Sequence, residues 1–347
     1  MDRCLELATG GSGRVAPNPM VGAVIVYDDR IIAEGFHRQY GQAHAEVNAI
    51  NAVKDPLLLK KCTLYVNLEP CAHKGKTPPC SDLIVEKQIP RVVIGTSDPN
   101  SLVAGKGIEK LRYHGIEVIT GVSEKACEWL NRRFFSFHSR KRPYIVLKWA
   151  QSADGFIDKF RTPDGSPGIN WISNPLCRTL VHRWRAEEQG ILVGTTTVLT
   201  DNPRLDLRHW PGISPLRIII DKDLKITPSS HVMDNSRRTL IINQERDETK
   251  GMTRFLKMDF GPDLLKNLLG ELYKMEILSI MVEGGAYTLR SFISEALWDE
   301  ARIITGNIKF GEGVPAPVVS GNMTEYHVLR DKVSVCTEAS NPYLYKI

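Results

Sequence analysis

"HAEVNAI", residues 44–50, places an imidazole and a carboxylate one residue apart at the head of an apolar, helix-like run. Two steps along a regular helix rotate a side chain by roughly 200°, so His44 and Glu46 cannot comfortably hold one ion together. In a first turn, however, His44 can reach a metal while Glu46 faces the water beside it. Downstream stands "LEPCAHKGKTPPC", residues 68–80, in which eight residues separate Cys71 from Cys80 and 26 separate His44 from Cys71. One imidazole and two thiolates leave a tetrahedral zinc its fourth position, which a catalytic zinc keeps open. Zinc lowers the pKa of water towards ~7, and a carboxylate such as Glu46 can then take the proton and deliver it to a leaving amine. The H-x-E and P-C halves of the zinc-deaminase pattern are both present, with eight residues where that pattern has two. The alternatives are a structural zinc closed by His73 as fourth ligand, or cysteines that only pack.

The surroundings favour convergence of these donors. "MDRCLELAT", "HAEVNAINAV", "CSDLIVEKQI" and "GIEKLRYHG" have helical spacing, and "MVGAVIVYD", "RIIAEGFH", "CTLYVNLEP", "RVVIGTSDP" and "IEVITG" read as strands, the first two joined by a "DD" turn. Strands alternating with helices predict a mainly parallel sheet covered on its faces. His44 would begin one helix, Cys71 would follow a strand end, and Cys80 would begin another helix just after Pro78–Pro79. A last helix over residues 123–137 leads into a basic linker. A second α/β series starts at "RPYIVLKWAQSADG" and runs through a helix near "NPLCRTLVHRWRAE", the strands "GILVG", "LRIIID" and "TLIIN", a Leu-rich helix near 263–274, "ILSIMVEGG", "AYTLRSFISEA" and "ARIITG". The expected domains are therefore 1–142 and 143–347.

With 347 residues, two domains are the natural expectation, and 42% hydrophobic with 24% charged residues suits a globular protein. No apolar run approaches the roughly 20 residues that cross a bilayer, so no membrane role is expected. The first twenty residues carry charges inside their only apolar stretch, and the seven cysteines have no framework spacing. Both point to a reducing cytoplasm with thiols free for metal or packing. The net charge of +5 is local: residues 1–130 hold 15 basic and 15 acidic groups, residues 143–347 hold 25 of each, and "NRRFFSFHSRKR" at 131–142 carries the excess. Basic residues among Phe134, Phe135 and Phe137 suit a nucleic-acid arm; an amphipathic helix end followed by a linker suits them as well.

"APNPMVGAVIV", "GFH", "HAEVNAI", "LEPCAHKGKTPPC" and "DPN…AGKGIEKLRYHGI" together resemble the deaminase half of the bifunctional riboflavin-biosynthesis deaminase/reductase family. "RPYIVLKWAQSADG", "WIS", "RAEEQGILVGTTTVLTDNPRLDLR", "RIIID" and "VEGGAYTL" resemble its reductase half, so the likeness covers nearly the whole chain. The resemblance implies a cytidine-deaminase-like three-layer α/β/α domain followed by a dihydrofolate-reductase-like α/β domain. It implies zinc deamination of a phosphoribosylamino diaminopyrimidinone to the aminouracil, then reduction of the ribosyl chain to ribityl with NADPH. By the same resemblance His44, Cys71 and Cys80 would hold one Zn2+, Glu46 would shuttle protons, and Asn18, His37, His73, Lys76, Asp98 and Asn100 would line the first substrate pocket. The basic insertion around Lys74 and Lys76 fits a phosphorylated substrate, and equally a solvated loop.

For the second half, no G-x-G-x-x-G follows a strand, which argues against a Rossmann dehydrogenase. "IMVEGGAYTL" offers a strand, two glycines and a helix start suited to a pyrophosphate, although a tight strand–helix turn would look the same. The resemblance puts Gln151, Trp171, Thr197, Asp201, Gly284, Gly285 and Ala286 at the cofactor, and Arg185, Leu205, Arg208 and Glu283 at the phosphosugar. Arg185 and Arg208 make chemical sense as phosphate clamps; Lys148 and Asp154 are further polar candidates. Small-molecule substrates, no nucleic acid and a homo-oligomer, dimer or tetramer, complete what it implies. Three stretches depart from the family pattern: Ala72 where serine is usual, Ala153 where leucine is usual, and "PDGSPGIN" ahead of Trp171.

Overall fold

The computed structural model describes residues 1–73, 78–100, 104–161 and 168–337. The chain divides into two compact units at Lys141/Arg142. The first contains α1 (Asp2–Thr9), β1 (Gly22–Tyr27), β2 (Arg30–Phe36), α2 (Ala45–Asn51), β3 (Thr63–Leu68), α3 (Cys80–Glu86), β4 (Arg91–Thr96), α4 (Lys106–Tyr113), β5 (Glu117–Ile119), α5 (Glu124–Leu130) and α6 (Arg132–Arg140). Its sheet has the order β2-β1-β3-β4-β5. β1 is antiparallel to β2 and β3, whereas β3, β4 and β5 run parallel. The β1–β2 hairpin turns at Asp28 and Asp29, whose φ of 49° and 56° are what a two-residue turn demands. Ala23, Ile25, Leu64, Val66 and Ile94 from the strands meet Ala49, Ile84 and Leu111 from the helices in one core.

Helix α2 sits directly on β2 because Gly35 has no side chain there. A Cβ at that position would lie 2.4 Å from the Ala49 nitrogen and 2.6 Å from the Ala45 oxygen. The single helix expected over 123–137 is two, broken at Asn131. Its side chain accepts from Met20 N at 2.8 Å and donates to Met20 O at 2.9 Å. Helix α6 carries the helical stretch past residue 137 to Arg140, into the expected linker, with Phe134 and Phe137 buried rather than displayed for stacking.

The second unit comprises β6 (Tyr144–Gln151), β7 (Phe156–Asp158), α7 (Pro175–Glu187), β8 (Gly190–Gly194), α8 (Thr195–Asp201), β9 (Leu216–Ile220), β10 (Thr239–Asn243), β11 (Glu248–Lys250), β12 (Thr253–Lys257), α9 (Leu264–Lys274), β13 (Ser279–Gly284), α10 (Ala286–Ser294), β14 (Glu300–Thr305), β15 (Val314–Pro315), β16 (Asn322–Val328) and β17 (Asp331–Thr337). The large sheet runs β11-β12-β10-β9-β8-β13-β6-β14-β17-β16. Every neighbouring pair from β12 to β14 is parallel. Both faces of its centre are buried. Ile145, Leu147, Leu192, Ile280 and Val282 pack into one core with α9 and α10, while Tyr144, Val146 and Met281 pack against Val181 and Trp184 of α7. That is why these strands read as unbroken apolar runs. No helix among the described residues is long and apolar enough to cross a membrane.

Gly35→Ala is expected to push α2 off β2, lowering stability by about 1–3 kcal/mol as overpacked sites do. Chemical denaturation checks it; an unchanged midpoint would show that α2 has slack at this contact.

Candidate metal centre and cavity

His44 is the residue immediately preceding α2, Cys71 follows β3, and Cys80 is the first residue of α3. His44 Nδ1 lies 3.6 Å from Cys71 Sγ and 3.3 Å from Cys80 Sγ. A tetrahedral zinc with bonds of about 2.3 Å to sulfur and about 2.0–2.1 Å to nitrogen holds such atoms about 3.5 Å apart, so the three donors fit the ion. Among the described residues these three alone form a cluster of potential metal donors. His73, the sequence candidate for a fourth ligand, is exposed and outside it.

The local chemistry favours thiolate at Cys71, while its hydrogen bond with Cys71 and burial push the Cys80 thiol up. The hydrogen bond with Cys80, assisted by His44, pulls Cys71 down to about 4, and the Cys80 backbone N–H donates to Cys71 Sγ at 3.3 Å. Glu46 is buried in the first turn of α2 with the Cys80 thiol as a hydrogen-bonding neighbour. Burial pushes its carboxyl up to about 7. It stands beside the metal donors without belonging to them.

Of the expected substrate residues, His37 packs edge-on against His44 with ring centroids 5.3 Å apart. Its Nδ1 faces the Ala43 carbonyl at 3.0 Å, and its Nε2 lies 3.1 Å from Asn18 Nδ2. A proton on Nδ1 satisfies both contacts, with the Asn18 amide donating to Nε2. Two residues beyond Asn18, Asn67 and Asn131 clamp the Met20 backbone from β3 and from the α5–α6 break. Asp98 is buried past the end of β4, accepts from Asn100 N at 2.8 Å, and is pushed up to about 6 by burial. Lys76 lies outside the described residues.

In the second unit a cavity of about 1230 Å³ opens at the C-terminal ends of β6, β8, β9 and β13. This exceeds the roughly 300–1,000 Å³ of pockets for one drug-sized molecule and leaves room for two. Trp171, Thr197, Asp201, Gly284, Gly285 and Ala286 line it, as do Arg185, Leu205, Arg208, Glu283 and Lys148. Two expected residues are not brought there. Gln151 accepts from the Trp149 indole at 2.9 Å, and its neighbour Ala150 forms the wall instead. Asp154 turns to the Phe310 and Gly311 amides.

The two arginines differ in kind. Arg185 grips Glu283 in a two-pronged pair, Nε to Oε1 at 2.6 Å and Nη2 to Oε2 at 2.7 Å, with both side chains largely buried. Burial would push Glu283 up, but Arg185 and Lys148 hold it at about 2. Arg208 is more open, and its Nη1 donates to Asp206 Oδ1 at 2.5 Å. Clamping a phosphate therefore suits Arg208, whereas the Arg185 fork is already filled. Sequence reasoning missed Glu69, Asn67, Asn131 and Asp206, which act on backbone or on other side chains and carry no spacing signature.

The comparisons with known proteins fall on these two sites. Residues 1–96 match the cytidine and deoxycytidylate deaminase zinc-binding region, and residues 143–339 match the RibD C-terminal domain. The first unit is therefore a zinc-dependent deaminase module and the second a reductase module of that family. The chain belongs to the riboflavin biosynthesis protein RibD family. It is 41% identical over 322 residues to riboflavin biosynthesis protein RibD of Aquifex aeolicus, covering 90% of this chain and 88% of that one. The solved structure of a diaminohydroxyphosphoribosylaminopyrimidine deaminase/5-amino-6-(5-phosphoribosylamino)uracil reductase from Thermotoga maritima matches with a TM-score of 0.86 at 37% identity over 97% of each chain. RibD of Acinetobacter baumannii matches with a TM-score of 0.86 at 31% identity over 98% of each.

Purified protein is expected to hold about one zinc per chain, and Cys71→Ala to lose it, as metal analysis would read. Glu283→Gln is expected to destabilise the second unit by about 3–5 kcal/mol, because it strands a buried guanidinium. A denaturation midpoint like that of wild type would refute the pairing argument.

Proposed function

We propose that this chain catalyses two consecutive steps. Residues 1–142 deaminate a diaminohydroxyphosphoribosylaminopyrimidine, and residues 143–347 reduce the resulting 5-amino-6-(5-phosphoribosylamino)uracil at its ribosyl chain with NADPH. The observation that supports the first step most is a buried carboxylate, Glu46, standing beside a three-donor cluster with no fourth protein ligand among the described residues. Zinc, when held by His44, Cys71 and Cys80, supplies the Lewis acidity that makes water nucleophilic near neutral pH. Glu46 takes the proton from the attacking water and passes it to the departing amine, its two tasks served by one carboxyl within reach of both. Asn18, oriented by His37, together with Asp98 and Asn100, orients the pyrimidine edge.

In the second unit NADPH supplies the hydride. The turn Gly284–Ala286, with Trp171, Thr197 and Asp201, holds the cofactor, while Arg208, Leu205 and the Lys148–Glu283–Arg185 group hold the phosphosugar. Buried opposite charges fixed against one another give that end of the cavity a rigid polar wall. The substrates are small molecules rather than nucleic acid, a reading supported by the burial of Phe134 and Phe137. We place the protein in the cytoplasm as a homo-oligomer, dimer or tetramer.

Supplying the diaminopyrimidinone with NADPH and following ammonia release and NADPH oxidation together tests this reading. Both are expected in wild type, ammonia first. Glu46→Gln should keep its zinc and lose deamination by about 10²–10⁴-fold, the usual worth of a positioned acid–base group. It should still oxidise NADPH when given the deaminated compound. Unimpaired ammonia release by that variant would remove Glu46 from the chemistry.

A further inference from the structure

The carboxylate of Glu69 has no assigned task, yet it is among the most heavily bonded groups of the first unit. It lies between the end of β3 and Cys71, 4% exposed. Its Oε2 accepts from Asp98 N at 3.2 Å and Gly105 N at 3.0 Å, and its Oε1 accepts from Gly107 N at 2.9 Å and Ile108 N at 3.2 Å. Four backbone donors therefore converge on one side chain. They come from both flanks of a single excursion: the exit of β4, where Asp98 and Asn100 lie, and the start of α4.

The approach is close. A Cβ on Gly107 would lie 2.0 Å from the Pro70 oxygen, so the first turn of α4 rests directly on the residue that precedes Cys71. Asp98 is fixed a second time within the same flank, since its Oδ1 accepts from Asn100 N.

The chemistry calls for a carboxylate and nothing else. Glutamine has one accepting oxygen and one NH2, so at least two of the four N–H groups would face a donor. A carboxylate accepts on both oxygens, and its bonds to N–H groups are charge-assisted.

We propose that Glu69 is a positioning residue of the deaminase: it clips the Asp98–Asn100 and Gly105–Ile108 flanks to the strand that delivers Cys71, and so presents Asp98 and Asn100 to the pyrimidine. The inference rests on the reading that Asp98 and Asn100 touch that substrate. Its effect passes through them, not through the metal.

The full-length chain provides its own control, because reduction of the deaminated compound reports on folding of the other unit. Glu69→Gln is expected to keep zinc and the reductase rate and to raise the deaminase KM about tenfold or more, with kcat changing far less. Glu69→Asp, which keeps two accepting oxygens on a shorter stem, should fall between that variant and wild type. An unchanged KM in Glu69→Gln overturns the proposal, and so does loss of zinc, which would make Glu69 a support of the metal strand instead. Asn100→Ala separates the two readings: if it leaves KM unchanged, the pocket assignment fails and takes the clip with it. If Asn100→Ala raises KM while Glu69→Gln does not, the clip alone fails. Should Glu69→Gln not fold, hydrogen exchange on wild type decides, since slow exchange of the Asp98 and Gly105 amides supports the clip and fast exchange overturns it.

Discussion

Three donor atoms from distant stretches of chain must meet within the bond lengths of one ion, and the first unit is organised around that demand. The sheet order places β1 between β2 and β3, so the segment leaving β2 and the segment leaving β3 both reach the site. His44 arrives at the start of α2, Cys80 at the start of α3, and Cys71 on the bend between β3 and α3. None of these could shift by much without breaking the 3.3–3.6 Å sulfur–nitrogen spacing. The absence of a side chain at Gly35, which seats α2, is thus a metal-site feature as much as a packing one.

What the sequence made legible was chemistry carried by side-chain identity. His44, Glu46, Cys71 and Cys80 announce themselves because few other roles ask for that set in that order. Groups whose partners are backbone amides left no such trace: Glu69 binds N–H groups 29 to 39 residues away, and Asn131 reaches 111 residues back to Met20. Elements were missed for physical reasons as well. Helix α8 is "TTTVLTD", a β-branched run with weak helical preference, held by its place after β8. The β16–β17 hairpin turns at Leu329–Arg330, with Leu329 at φ 56°, a residue type that does not advertise a turn. The division of the helix expected over 123–137 into α5 and α6 left no mark in the sequence, because Asn131 breaks it by binding the Met20 backbone 111 residues away.

The two units solve opposite electrostatic problems. The first gathers sulfur and carboxylate around a place for a cation. The second handles anionic ligands, yet it keeps a buried carboxylate, Glu283, inside its cavity and must neutralise it with Arg185 and Lys148. This division explains why a basic count alone predicted so little: residues 1–130 and 143–347 are each neutral, the excess lying at 131–142, while both sites are strongly polarised.

The fork between Arg185 and Glu283 joins the last turn of a helix to the end of a strand 98 residues later. Neither partner can be exchanged alone without leaving an orphaned ion in a dry place, so drift at one position is blocked until the other changes. Across relatives the two sites should therefore vary as a unit, switching together to an uncharged couple or not at all, and a lineage carrying only one of them would mark a cavity rebuilt for a different ligand.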